Sequence, residues 1–281
     1  MRPFQSCRER IERAKTHRDA LAEAWNTFVR NEHYSVIVRM ENDGTGRIFV
    51  RPTFPALPIN FSLEFGEMVY QLRAALDGCV YEAAIIKTGQ NPPPDEDYLA
   101  FPICNTPERF NTKNTARSIA PLPKDCKDWI QSIQPYNAPK TLKPAEMVAS
   151  FNRNLGILHD WARKDRHRQL HLLGAWGSKA TPNLRIPDGT VLRSLTVSGS
   201  KLLKDESEIA TFILDGFVPG MEVSANPNLA IDIAVDEVPP QLADTDTLGN
   251  RLFNIFLFVE SVVGAFESFF LRKKRSSKGI V

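Results

Sequence analysis

Apolar residues recur every three to four positions in four long stretches of the chain. Between the third and fourth of these stretches they recur every second position. The first stretch, residues 3–31, carries Ile11, Ala14, Ala20, Leu21, Ala24, Trp25 and Phe28 at helical spacing, with charged residues elsewhere. The second, 62–87, sets Phe65, Met68, Val69, Leu72, Ala75, Leu76, Cys79, Val80 and Ala83 in one broad stripe. The third, 145–164, carries Met147, Val148, Phe151, Leu155, Ile157, Leu158 and Trp161, and the fourth spans 247–272. After the first helix, YSVIVRMENDGTGRIFV alternates, turns at 42–46 and alternates again, which predicts a β-hairpin. QNPPPDEDY is a loop, because consecutive prolines forbid helix and disfavour strand. Residues 105–142 suggest short helices joined by proline turns, KDCKDWIQSI being the clearest.

From about Arg168 the period falls from 3.6 to 2. LHLLGAW, NLRI, TVLRSLTVSG, EIATFIL, MEVSA and LAIDIAV are strand-like, with Pro, Gly and Asn between them. Four helices that each bury one stripe pack most economically as a four-helix bundle. The strands and the early hairpin predict one mainly antiparallel sheet or a small sandwich. The expected class is therefore α+β, a four-helix bundle with an inserted, mainly antiparallel β layer. Its expected parts are 1–167 (N-terminal helices, hairpin and bundle core), 168–240 (β-rich insertion) and 241–281 (a closing helix with the basic tail RKKRSSKG).

Composition narrows the function classes. The 281 residues include 35 basic and 33 acidic side chains, a net charge of +2, which argues against a dedicated polyanion binder. Cys7, Cys79, Cys104 and Cys126 are scattered without a CxxC pair, so reduced, buried thiols are expected rather than a disulfide framework or a metal knuckle. The opening MRPFQSCRERIERAK has no apolar signal-like core, which predicts a cytoplasmic location. LFNIFLFVESVVGAFESFF is long and apolar, but its polar residues fall within an arc of about 140° at helical spacing. Two glutamates in mid-span each cost a few kcal/mol in hydrocarbon. An amphipathic core helix is expected there, and no membrane.

Candidate chemistry is sparse. Arg73 and Asp77 in YQLRAALDG lie four apart at the margin of the second apolar stripe. They suit either a polar pair aimed at a ligand or a simple i,i+4 ion pair worth about 0.2–0.5 kcal/mol. RNLGILHDWARKDRHRQLH (153–171) divides into the end of the third helix and a junction at Asp165, Arg166, His167 and Arg168. Cations there match the negative end of a helix dipole. His167 and His171 have the spacing of a ligand pair, but a helix-to-strand junction separates them and no third ligand is near, so no metal is expected. There is no GxSxG, and the GTG of the hairpin turn lacks the Lys-Ser/Thr of a phosphate loop. No cofactor is implied.

At YQLRAALDGCVY, LAFPI, IQPYN and KDRHRQL, in that order, the chain resembles a group of bacterial proteins of uncharacterised function. That group shares an LRxALD helix, an FPI segment, a QPY turn and a DxHR junction, and the likeness covers roughly residues 60–172. In many of its members a His follows the LRxALD. The resulting Arg-x4-His is similar to the signature of the HEPN superfamily, four-helix-bundle proteins that include dimeric, metal-independent ribonucleases. Here Gly78 stands where that His would be. Other Arg-x4–6-His matches are Arg10/His17, Arg153/His159 and Arg166/His171, of which only Arg153/His159 lies inside a bundle helix.

Three functional expectations follow. The resemblance implies first a non-catalytic HEPN-like module, a homodimer that binds a protein partner or RNA. The second is a ribonuclease with Arg153 and His159 as catalytic pair, helped by Arg166, His167 and Arg168. The third is a small-ligand binder with a pocket between bundle and sheet near Arg73, Asp77 and Asp165.

Overall fold

The computed structural model describes residues 2–30, 34–53, 58–139, 150–167, 172–176, 182–198, 201–202, 206–226, 231–235 and 248–276. The chain is mixed helix and strand, 57% helical and 18% strand, with antiparallel sheets. It separates into two units, one of 1–21, 62–170 and 249–281, the other of 22–61 and 171–248. The hairpin thus belongs with the later strands.

The first unit is helical. Its long helices are α1 (Gln5–Arg30, through Leu21), α2 (Ile59–Thr88, from Ser62), α6 (Phe151–His167) and α7 (Leu248–Ser276, from Gly249). Between them lie the short α3 (Pro107–Phe110), α4 (Lys113–Ser118) and α5 (Lys124–Ser132). Thr106 and Thr112 cap α3 and α4, each side-chain oxygen accepting a backbone N–H three residues on.

The long helices touch in sequence around a closed path. His17 Nδ1 lies 2.8 Å from Glu64, and Arg10 donates to Gln71 at 3.1 Å, joining α1 to α2. Phe65 meets Trp161 edge-on at 5.1 Å, joining α2 to α6. Phe151 and Phe258 lie 5.6 Å apart and join α6 to α7. Arg8–Glu267, Lys15–Glu260 and Phe4–Phe266 return from α7 to α1. Phe65, Met68, Leu72, Leu76, Val80 and Ala83 of α2 and Ile255, Val259, Val263 and Phe266 of α7 are fully buried.

Helix α7 between Leu248 and Phe270 is long and apolar enough to cross a membrane. Its Glu260 and Glu267, however, are ion-paired to Lys15 and Arg8 of α1.

The third long helix runs to His167, not to Lys164 as the sequence suggested. Asp165 lies on this last turn, and its carboxyl packs over Gly66 of α2. Its expected first residues, 145–149, and Arg168 lie outside the described residues.

The second unit holds the strands: β1 (Tyr34–Met40), β2 (Thr45–Pro52), β3 (Leu172–Trp176), β4 (Asn183–Arg185), β5 (Val191–Val197), β6 (Lys201–Leu202), β7 (Ser207–Asp215), β8 (Ser224–Asn226) and β9 (Ile231–Val235). Each of the six strand-like segments overlaps a described strand. Every pairing is antiparallel, but the described strands form three sheets rather than one: β1-β2-β7-β5, β6-β3-β9 and β4-β8. β4 and β8, three residues each, pair with one another.

In the largest sheet Ile48 and Val50 alternate inward, Ile48 opposite Ala210 and Val50 opposite Ser207. Gly46 pairs with Phe212, and the Phe212 ring covers it so closely that a Cβ there would lie 2.2 Å from a ring carbon. Glu206 takes hydrogen bonds from Arg39 and Arg51, which hold its carboxyl below the usual carboxylate range. Trp25, Phe28 and Phe61 form a separate aromatic cluster, with Phe61 edge-on to Trp25 at 5.9 Å and to Phe28 at 5.6 Å.

Candidate functional site

Arg73 and Asp77 are an ion pair, Nη1 to Oδ1 2.9 Å, but they do more than hold each other. Arg73 Nη2 donates to the Phe101 carbonyl at 2.7 Å, and the Phe101 N–H donates to Asp77 Oδ1 at 2.9 Å. The two side chains of α2 therefore satisfy both backbone polar groups of one residue in FPI, as a neighbouring strand would. Extended backbone outside a sheet must find such partners when its side chain is buried, and Phe101 is fully buried. The guanidinium side is 12% exposed and the carboxylate side 38%, so the pair bridges core and surface.

The same segment is held from its other side by Gln134 of the QPY turn, which is fully buried. Its Oε1 accepts the Cys104 N–H at 2.8 Å, and its Nε2 donates to the carbonyls of Pro102 and Ile130, both at 3.0 Å. Asn152 in the first turn of α6 donates to the Gln134 carbonyl at 2.9 Å. Pro135 packs on Gly156 of the same helix. LRxALD, FPI and QPY, distant in sequence, thus meet as one hydrogen-bonded unit.

Beside this unit lies a cleft of about 450 Å³, entirely within the helical unit. Tyr70, Arg73, Ala74, Asp77, Gly78, Tyr81 and Glu82 line it from one face of α2, Ser6 and Arg10 from α1, with Leu99 and Ala162 completing the wall. The α2 residues recur at three and four, so they share a helix face. Ser6 donates to Glu82 at 3.2 Å, and the Tyr81 hydroxyl donates to Glu96 at 3.0 Å, which pushes the Tyr81 phenol pKa up. Gly78 forms part of the wall, and a Cβ there would come 3.1 Å from Cys7 Sγ. Gly78 therefore leaves this stretch of the cleft surface without a side chain.

The other sequence candidates fall elsewhere. Arg153 donates to the Pro139 carbonyl at 3.1 Å. His159 stands six positions along the same helix, which turns the two side chains about 120° apart around its axis. Asp165 sits over Gly66, and burial, then the nearby Glu67 charge, raise its pKa. Arg166 and His167 belong to the last turn of α6. No group of three or more His, Cys, Asp or Glu able to hold a metal occurs among the described residues.

Sequence reasoning overlooked Gln134, Ser6, Tyr70, Tyr81 and Glu82, and named Arg10 only as a partner of His17. The spacing 70-73-77-81 along the polar margin of α2 was the available signal for the helix half of the cleft. Nothing local marked the α1 half. No family model, curated protein or solved structure matches the chain.

Proposed function

We propose that this protein is a non-catalytic binding module, a HEPN-like four-helix bundle whose cleft over Gly78 takes a small polar ligand. The closed path of contacts α1–α2–α6–α7 supports the bundle. The observation that carries the function is the cleft itself, of a volume usual for small-molecule sites. Its charges decide the ligand class. Arg10 and Arg73 face Asp77 and Glu82, two positive against two negative, so the lining is neutral overall and suits a zwitterion better than a polyanion. Tyr70, half exposed, and Tyr81 offer flat apolar surface beside these charges. A cytoplasmic homodimer is the accompanying expectation, read by light scattering of the purified protein.

The test is a thermal-shift panel of amino acids, dipeptides, nucleosides and nucleotides. At least one zwitterionic compound should raise Tm in the native chain and lose that effect in Gly78→Leu, which fills the cleft. A panel without any shift, or one unchanged by Gly78→Leu, would reject the reading. Cleavage of single-stranded RNA in EDTA, abolished by His159→Ala, would assign the ribonuclease instead.

A further inference from the structure

We infer that the cleft takes a short peptide with both termini free, its carboxylate on Arg10 and its ammonium on Glu82. The inference rests on the reading of the cleft as a small-ligand site and names the ligand class. The four charges of the lining are not equivalent. Arg73 and Asp77 are spent on each other and on the backbone of Phe101. Arg10 donates to the neutral amide of Gln71 at 3.1 Å, and Glu82 accepts from the neutral hydroxyl of Ser6 at 3.2 Å. Both contacts are part-buried, and among the described residues neither Arg10 nor Glu82 has an ion-pair partner. One cation and one carboxylate are therefore left to meet opposite charges from outside, where a ligand offsets the cost of their partial burial.

Their spacing excludes a single amino acid. α1 and α2 run antiparallel, since residues 6, 10 and 17 meet 82, 71 and 64 in turn. Ser6, which holds Glu82, and Arg10 stand four residues apart on α1, about 6 Å along its axis. Gln71, which holds Arg10, and Glu82 stand eleven apart on α2, about 16 Å along that axis. These contacts bracket the separation of the two charged heads. In one amino acid the ammonium and carboxylate share a carbon and cannot span that interval. An extended chain advances about 3.3–3.6 Å per residue, so a peptide of about two to four residues fills it.

The floor between the anchors suits a peptide backbone. Gly78 lies between Gln71 and Glu82 on α2 and presents no side chain to the cleft, so a chain can cross close to the helix. Tyr70 and Tyr81 repeat the eleven-residue spacing of the anchors, three helical turns, and place one ring beside each. Those rings offer apolar surface to the side chains of the terminal residues.

The experiment is isothermal titration calorimetry of the full-length protein with alanine and with di-, tri- and tetra-alanine, then with the tightest of these N-acetylated or C-amidated. At least one peptide should bind about tenfold or more tightly than alanine, and blocking either terminus should cost about tenfold or more, the loss of one charged contact. Arg10→Gln should erase the penalty of the C-terminal amide, and Glu82→Gln that of the N-acetyl group. The length series and the blocked peptides use the unmutated chain, so a poorly folding variant does not blunt them. Peptides that bind no better than alanine, or blocking penalties unchanged in both variants, would overturn the inference. A zwitterion whose Tm shift is lost in Gly78→Leu, with no alanine peptide bound, would overturn it too and leave the cleft reading standing. A peptide that binds Gly78→Leu as tightly as the native chain rejects the cleft itself, and the inference with it.

Discussion

Replacing Gln134 by Leu tests whether the buried amide holds the FPI segment in place. Leu fills nearly the same volume, so little cavity is created and the effect isolates the hydrogen bonds. Removing the amide leaves the Cys104 N–H and the Pro102 carbonyl without their partner in the interior, and the Ile130 carbonyl loses one near the end of α5. A buried backbone group left unsatisfied costs about 1–3 kcal/mol, so the first two together cost about 2–6 kcal/mol. Total stabilities of about 5–15 kcal/mol make that a large fraction. For a chain of this size the middle of the range lowers Tm on the order of 10 °C. Urea or thermal unfolding followed by tryptophan fluorescence measures it, with the exposed neighbour change Gln131→Leu as control. Gln134→Glu keeps the acceptor for Cys104 but removes both donated bonds, and should be nearly as destabilising. If Gln134→Leu unfolds within about 1 kcal/mol of the native chain, the backbone-satisfaction argument fails.

Asp77→Ala should cost about 1.5–3 kcal/mol, the range for hydrogen bonds to a charged group, because the Phe101 N–H and Arg73 both lose a partner. Asp77→Asn keeps an acceptor for Phe101 and should cost clearly less; equal losses in chemical denaturation would show that the ion pair, not the backbone contact, matters. Asp165 has a raised pKa, so the folded state binds its proton more tightly than the unfolded chain. Stability should therefore fall as pH rises from the ordinary value of 3.8 through the folded-state pKa. Asp165→Asn should raise Tm at pH 7, leave it nearly unchanged below pH 3.8 and flatten that slope; a lower Tm at both pH values would refute the cause. Gly46→Ala should destabilise the β-rich unit by about 2 kcal/mol or more, since the added methyl collides with the buried Phe212 ring, and an unchanged melting curve would contradict that packing.

The helices and strands were legible because their signal is local. A stripe at period 3.6 marked α2 and α7, and alternation marked β2 and β7, since burial on one side imposes those periods on any chain. The end of α6 was not legible, because cations after Lys164 fit a helix terminus equally well whether the helix stops there or runs one turn further. Only the structure shows that this extra turn brings Asp165 over Gly66, about one hundred residues away in sequence.

The candidate site shows the same division. LRxALD placed Arg73 and Asp77 on one helix face, as their i,i+4 spacing required. That they grip the Phe101 backbone, 28 and 24 residues on, follows from which buried N–H and C=O groups the fold left without a strand. The sequence by itself determined period, and with it helix, strand and the α+β class. Only the tertiary structure decided that β7 inserts between β2 and β5, that Gln134 completes the FPI segment and that Gly78 opens a cleft. Those choices depend on which distant backbone groups and surfaces remain unsatisfied once the local elements have formed, and no local pattern carries that information.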